Sequence, residues 1–136
     1  ITIAGVSGIN SYMGGLAGHI EGKMSNCYTR ITTLENSNVS VSSVQIGLLA
    51  GAIATGDASS IGFTNCYTYG GTVTGCETPT TGDGITTINS LTGTDKGSLC
   101  TLLNDQLNDN PSWSTWTEKK DGTGAVTSVY LFNYRN

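Results

Sequence analysis

The chain has 136 residues, a net charge of −4 and only 12% charged side chains, and Gly, Thr, Ser and Asn make up almost half of it. This length suits one domain, and the composition, which is poor in helix formers, predicts a mainly β protein of extracellular type. The acidic balance argues against a nucleic-acid partner, because no cluster of Lys and Arg could replace the counterions of phosphates. No apolar run reaches the roughly 18 residues that a membrane span needs.

Two pairs of similar segments indicate an internal repeat. Residues 14–20 (GGLAGHI) resemble residues 47–53 (GLLAGAI), and we call the distance between them the shorter spacing. Residues 24–29 (MSNCYT) resemble residues 63–68 (FTNCYT), and we call this distance the longer spacing. The longer spacing has six additional positions, which fall between Thr55 and Ile61 in a stretch of small residues that is typical of a longer turn. The same two segments therefore occur twice, in the same order.

Each repeat is predicted to contain about three short strands separated by sharp turns. Repeated short strands suit a solenoid coil, in which each repeat covers the apolar face of its neighbour. Parallel strands lie about 4.8 Å apart, so equivalent residues of the two repeats are expected to stack. The stacked pairs would be Asn26 with Asn65 as an amide ladder, Cys27 with Cys66, and Tyr28 with Tyr67.

These segments resemble the GLUG repeat, which is named for a Gly-Leu-x-Gly core. Residues 15–18 match that core well, whereas residues 48–51 have Leu in place of the first Gly, and the resemblance covers roughly residues 14–75. It implies a right-handed parallel β-helix in a secreted or surface-attached bacterial protein, and it implies no particular reaction. The motif residues are Gly15, Leu16, Gly18, Asn26, Cys27, Tyr28, Leu49, Gly51, Asn65, Cys66 and Tyr67.

The pattern changes after residue 93, so we divide the chain into repeats at 1–93 and a cap at 94–136. Thr94 or Asp95 is predicted to be the N-cap of a helix that carries a stripe of leucines on one face. Asn110-Pro111 is predicted to end this helix. Two strands, near residues 113–118 and 126–134, are predicted to form a hairpin. Solenoids need capped ends, which favours a helix-plus-hairpin cap over the alternative, a separate binding module that uses Trp113 and Trp116.

The four cysteines, Cys27, Cys66, Cys76 and Cys100, lack the spacing of a zinc site. If one repeat makes one turn of the coil, Cys27 and Cys66 lie within disulfide range, and Cys76 could then pair with Cys100. Buried free thiols are the alternative interpretation.

Aromatic side chains are the candidate ligand contacts. Trp113 and Trp116 lie three positions apart and would face opposite sides of a strand, so one of them is expected to be buried. Tyr28 and Tyr67 could form a stacked ligand strip, although inward packing is as good an interpretation.

No constellation of residues predicts an enzyme. The single His19 has no partners marked by a motif, the carboxylates are scattered, and no basic residue occurs between Arg30 and Lys96. A polysaccharide lyase would need such a cation to stabilise its developing negative charge. We predict no cofactor and no metal site, since no calcium or zinc motif is present.

The sequence therefore predicts a structural or adhesive segment of a secreted or cell-surface bacterial protein, without catalytic activity. Its expected partners are a host or bacterial surface protein, a glycan, or a second copy joined through open solenoid edges. One alternative is a self-assembling, pilus-like extracellular filament subunit, because exposed strand edges can polymerise. Another is a β-helix that binds or cleaves carbohydrate.

Overall fold

The computed structural model describes residues 1–3, 10–38, 43–57, 59–76, 80–93, 97–109 and 114–132. This part of the chain is mainly β, with one short α-helix, as the sequence predicts. Contacts divide the chain into two compact units, Ile1–Thr87 and Ile88–Asn136. No helix in the ranges just given is long and apolar enough to cross a membrane.

The first unit is built from very short strands that are separated by turns. Their bounds are β1 (Thr2–Ile3), β2 (Ser11–Gly14), β3 (Ala17–Ile20), β4 (Lys23–Ser25), β5 (Tyr28–Thr29), β6 (Thr33–Asn36), β7 (Val44–Gly47), β8 (Ala50–Ile53), β9 (Gly62–Thr64), β10 (Cys66–Tyr69), β11 (Thr72–Thr74) and β12 (Ile85–Ile88). We call residues 11–36 the first repeat and residues 44–74 the second repeat.

Every strand of the first repeat pairs in parallel with the strand at the same place in the second repeat. β2 with β7 and β3 with β8 keep the shorter spacing, as in Met13 opposite Ile46. β4 with β9, β5 with β10 and β6 with β11 keep the longer spacing, as in Tyr28 opposite Tyr67. These are the two spacings of the sequence repeat, so like residues lie beside like residues.

The spacing changes between β8 and β9, where the second repeat carries its additional residues. An Asp57 turn organises this insertion: the carboxylate of Asp57 accepts the backbone N–H of Ser59 at 2.9 Å and its hydroxyl at 2.8 Å. The backbone carbonyl of Asp57 accepts the N–H of Ile61 at 3.0 Å. These bonds of Asp57 form a turn, and the strands on both sides, β8 and β9, keep their pairing with the first repeat.

The core of this unit lies between the short strands, in two apolar clusters. One contains Met13, Leu34, Val44 and Ile46, and the other contains Leu49, Ala50, Phe63 and Cys66. Gly51 permits the close approach of the two repeats, since a Cβ there would overlap the backbone of Met13 and Gly18. Packing between the two repeats therefore requires glycine at this position.

Strands β1 and β12 extend two of the small sheets beyond the two repeats. β1 pairs in parallel with β6, again with the shorter spacing, as in Thr2 opposite Glu35. β12 lies beside β10 in the sheet ordered β12, β10, β5. The backbone N–H of Cys66 also donates to the carbonyl of Gly84 at 3.0 Å. Two of the small sheets therefore have three strands, whereas the β2–β7, β3–β8 and β4–β9 sheets have two.

The second unit contains a helix and an antiparallel hairpin. Helix α1 (Leu99–Asp105) is followed by a 3₁₀ turn (Gln106–Asn108), and strands β13 (Thr115–Lys120) and β14 (Val126–Phe132) form the hairpin. The predicted start of the helix was wrong, because Ser98 is its N-cap and accepts the N–H of Thr101 at 3.2 Å. Thr94, Asp95 and the Asn110-Pro111 stop signal lie outside the described residues.

One asparagine joins the helix to the hairpin in this unit. The side-chain amide of Asn104 donates to the backbone carbonyl of Trp116 at 2.9 Å, and its oxygen accepts the N–H of Trp116 at 2.8 Å. This pair of bonds satisfies both backbone groups of a strand residue that faces the helix. The prediction that residues 94–136 cap the repeats stays a prediction.

We expect Asn104→Ala to lower the free energy of unfolding of this unit by about 2 kcal/mol, because it removes two part-buried hydrogen bonds to the backbone of Trp116. Asn108→Ala is the matched control, since Asn108 is an exposed residue of the following 3₁₀ turn. Denaturant unfolding followed by tryptophan fluorescence measures both variants. Equal midpoints for the two variants would contradict the bridging role of Asn104.

Candidate functional site

The stacked Asn-Cys-Tyr segments form a hydrogen-bonded polar feature between the two repeats. Asn26 and Asn65 both have positive φ, at 53° and 51°, which side chains other than Gly, Asn and Asp resist. The amide of Asn65 donates to Oδ1 of Asn26 at 2.9 Å, and the Tyr67 hydroxyl donates to Oδ1 of Asn65 at 2.6 Å. The predicted amide ladder is therefore present, with Asn65 as its donor, and Tyr67 extends it.

This geometry explains why asparagine occurs at the same turn of both repeats. Its short amide tolerates the left-handed backbone, and the same amide bridges to the neighbouring repeat. Asn26 is buried, so an amide there without partners would be costly. The residue thus sets the turn and the register together.

The two repeat cysteines, Cys27 and Cys66, also lie side by side. The backbone N–H of Tyr67 donates to the carbonyl of Cys27 at 2.9 Å, which places Cys66 next to Cys27 across the β5–β10 pair. Cys66 is fully buried and Cys27 is half-buried, and both are thiols. The structure therefore has the stacked free thiols that the sequence offered as an alternative to a disulfide.

The two thiols influence each other's ionisation. A hydrogen bond from the Cys27 thiol lowers the pKa of Cys66, and the same bond, together with burial, raises the pKa of Cys27. The pair consequently loses its first proton from Cys66, while Cys27 keeps its proton as the donor.

The other two cysteines have separate surroundings. Cys76 is half-buried against the cluster around Met13 and Ile46, and burial raises its pKa. The Cys100 thiol donates to the carbonyl of Trp116 at 3.3 Å, and burial raises its pKa as well. Both are free thiols, so the predicted Cys76–Cys100 disulfide is not formed in this structure.

The Leu-Ala-Gly segments occupy equivalent turns but differ in exposure. The backbone N–H of Leu16 donates to the carbonyl of Leu49 at 2.9 Å. Leu49 is only 1% exposed, whereas Leu16 is 50% exposed. Leu49 of the second repeat is therefore buried, whereas the equivalent residue of the first repeat, Leu16, lies at the surface.

The predicted ligand aromatics fall into three groups. Trp113 lies outside the described residues, and Trp116 and Tyr28 are half-buried. Tyr67 is 7% exposed and packs inward, so a surface strip formed by Tyr28 and Tyr67 is not present. The Tyr67 ring faces the interior, and its hydroxyl joins the part-buried amide pair.

Two aromatic contacts were missed from the sequence. The rings of Tyr12 and His19 stack with centroids 5.3 Å apart and an interplanar angle of 24°. The Arg30 guanidinium lies 5.2 Å from the centre of the Tyr69 ring. The Arg30–Tyr69 contact could have been predicted, because these residues are separated by the same longer spacing as the asparagine pair. The Tyr12–His19 contact joins two strands through a turn, and no sequence pattern predicts it.

The Tyr12–His19 stack lies at the surface of β2 and β3. Tyr12 is 40% exposed, and the His19 ring lies 3.8 Å from the carboxylate of Glu21. Aromatic faces with a nearby carboxylate can contact sugars or the apolar side chains of a protein. This pair is the candidate binding surface of the described residues.

A cavity of about 300 Å³ lies within the first unit, and no described residue that lines it has an ionisable side chain. Leucine, isoleucine, valine, glycine and threonine line it, with Leu48, Leu49 and Ile85 among them. Nothing in this lining can act as a general acid or base near neutral pH. Among the described residues no group of three His, Cys, Asp or Glu side chains could hold a metal ion.

No protein-family model, no curated protein and no solved structure matches this chain.

We expect Asn65→Ala to lower the free energy of unfolding by about 3 kcal/mol, because it removes the bridge to Asn26 and puts an ordinary side chain at positive φ. Asn65→Gly removes the same bridge but accepts the backbone angle, so its loss should be smaller, about 2 kcal/mol. Urea unfolding of both variants separates the two contributions. A loss below about 1 kcal/mol in both variants would show that the ladder carries little stability.

Proposed function

We propose that the chain is a non-catalytic structural and adhesive segment of a secreted or cell-surface bacterial protein, folded as a right-handed parallel β-helix of GLUG-like repeats. The observation that carries this proposal is the strand-by-strand parallel pairing of the two repeats at the spacings of the sequence repeat. One repeat then forms one turn of the coil. Such a coil is a rigid support whose outward side chains are available for contacts.

The composition supports a role at the cell exterior. Thr, Ser and Asn side chains can cover the outer faces of stacked strands without charge repulsion between turns. Two cavities of the first unit support a non-catalytic role. The one of about 300 Å³ offers threonine hydroxyls and no ionised group, and the one of about 440 Å³ offers Asp83 as the single carboxylate of its lining. A pair of carboxylates, which glycoside hydrolysis needs, is present in neither lining among the residues that the structure describes. The resemblance of residues 15–18 to the GLUG core supports the surface location.

The Tyr12–His19 stack is the adhesive contact in this proposal, with a glycan or a surface protein as its partner. It is exposed, it lies on two neighbouring strands, and it presents ring faces beside the carboxylate of Glu21. Ring faces provide apolar contact area at a low cost in conformational entropy, and the carboxylate accepts hydrogen bonds from hydroxyl or amide donors.

Binding to a glycan array and to a panel of immobilised extracellular-matrix proteins tests this role. The wild-type chain should bind at least one member, and Tyr12→Ala together with His19→Ala should weaken that binding roughly tenfold, which corresponds to about 1.4 kcal/mol. Tyr130→Ala is the matched control, since Tyr130 is 41% exposed and belongs to the other unit. A silent wild type, or equal loss in the control, would contradict the adhesive role. Release of reducing ends from a bound glycan would instead support the carbohydrate-cleaving alternative.

A second function, self-association into an extracellular filament, is favoured by the exposure of the first repeat. In the part of the chain that the structure describes, β2, β3 and β4 each pair with one strand and show one edge without a strand beside it. Such edges are templates for further pairing. Leu16, half exposed beside them, provides apolar surface that a second copy of the chain could cover.

We expect self-association, if it is the function, to appear in sedimentation velocity as a concentration-dependent increase in mass. Leu16→Glu should abolish it, because the new carboxylate would be buried without a partner. Leu131→Glu is the control, since Leu131 is also 50% exposed but lies on the hairpin of the second unit. A chain that stays monomeric at all concentrations excludes the filament function.

A further inference from the structure

The Cys27 and Cys66 thiols form a pair at the contact between the two repeats. A thiol occurs at the same place in both repeats, and the parallel register brings the two together. No other two cysteines of the chain are equivalent in the repeat.

The backbone geometry of the pair fits a covalent bond between the repeats. Tyr28 and Tyr67 are direct partners in the β5–β10 pair, and the cysteines immediately before them are neighbours in the same register. Adjacent strands lie about 4.8 Å apart, inside the roughly 4.4–6.8 Å range of Cα separations in disulfides. Parallel register also directs equivalent side chains the same way, and the two sulfurs already share a hydrogen bond.

The two cysteines differ in how deeply they are buried. Cys66 is fully buried, with its thiol donating to the carbonyls of Met24 at 3.2 Å and Thr64 at 3.4 Å. Cys27 is half-buried, and its sulfur also lies 3.0 Å from the carbonyl oxygen of Ser25, a second acceptor for the same proton. An external reagent therefore reaches Cys27 first, and Cys66 is the sulfur beside it.

We propose that Cys27 and Cys66 are a redox site that closes to a disulfide between the two repeats in the presence of an external disulfide. In the singly deprotonated pair, the Cys27 proton passes to the Cys66 thiolate as the Cys27 sulfur attacks one sulfur of the external disulfide. The mixed disulfide forms, and the first thiolate leaves and takes up a proton from water. The Cys66 thiolate then attacks the Cys27 sulfur, and the mixed disulfide breaks. The second thiol leaves with the Cys66 proton, so two protein thiols are oxidised and the external disulfide is reduced to two thiols.

Two features support this order of steps. Backbone hydrogen bonds around Asn26 and Cys27 also lower the pKa of Cys66, and they remain when Cys27 is bonded to the reagent. The nearness of the two sulfurs makes the second step intramolecular and fast relative to attack by another protein. The resulting bond would link residues of two different repeats, far apart in the sequence, and restrict the unfolded chain.

The redox site does not depend on the adhesive role, so each can fail without the other. The test uses oxidised glutathione and the variant Cys76→Ser/Cys100→Ser, which keeps Cys27 and Cys66 as the sole cysteines. We expect the variant to lose the mass of two hydrogen atoms, to resist labelling by N-ethylmaleimide after denaturation, and to yield a peptide that joins residues 27 and 66. Its midpoint of thermal unfolding should rise by roughly 10 °C and return on reduction with dithiothreitol.

Two outcomes would overturn the proposal. A product that retains one glutathione on Cys27 would mean that Cys66 cannot reach it. Labelling of both thiols after prolonged oxidation would mean that the pair does not react. Wild-type protein treated in the same way provides the control, because a bond from Cys27 or Cys66 to Cys76 or Cys100 there would show that the repeat register does not direct the pairing.

Discussion

The parallel pairing of equivalent residues is the interaction on which the rest of this structure depends. Strands as short as those of the first unit cannot hold together as isolated hairpins, because too few hydrogen bonds oppose the entropy of ordering them. Here each short strand gains stability from a like strand in the next repeat. The asparagine ladder is the clearest case. The Asn65 side chain tolerates the left-handed backbone of its turn, donates to Asn26 in the other repeat, and accepts the hydroxyl of buried Tyr67.

The same constraint explains the composition. Where two backbones approach closely, as at Gly51 beside Met13, side chains must be small. Where equivalent residues stack, neutral polar side chains avoid the repulsion that stacked like charges would create. A chain rich in Gly, Thr, Ser and Asn is therefore what this arrangement needs, and the low charge follows from the stacking.

Much of the strand pairing in the first unit could be predicted from the sequence, because the spacing between two similar segments gives the register in which their strands pair. The shorter and the longer spacing predicted which strands pair, and they placed the asparagines and cysteines beside their counterparts. Exposure could not be predicted in this way. Leu16 and Leu49 are equivalent in sequence, yet only the second is covered, since burial depends on what lies on each side of a repeat.

The candidate site was less predictable for the same reason. Tyr12 and His19 meet through the turn between β2 and β3, a contact that no periodicity encodes. Tyr67 matched a surface strip in sequence but faces inward, because its hydroxyl completes the amide pair. The helix start was misplaced because Ser, Thr and Asp all suit an N-cap, and only the bond from the Thr101 N–H to the Ser98 side chain identifies the cap.

Solution NMR of the uniformly labelled chain tests the central claim most directly, through nuclear Overhauser contacts between backbone protons. The account predicts parallel-strand contacts between the Tyr28 and Tyr67 segments and between the Met13 and Ile46 segments, and slow exchange of the Tyr67 amide proton. Antiparallel contacts confined within residues 11–36 and within residues 44–74 would contradict it, since each repeat would then fold on itself and nothing would stack.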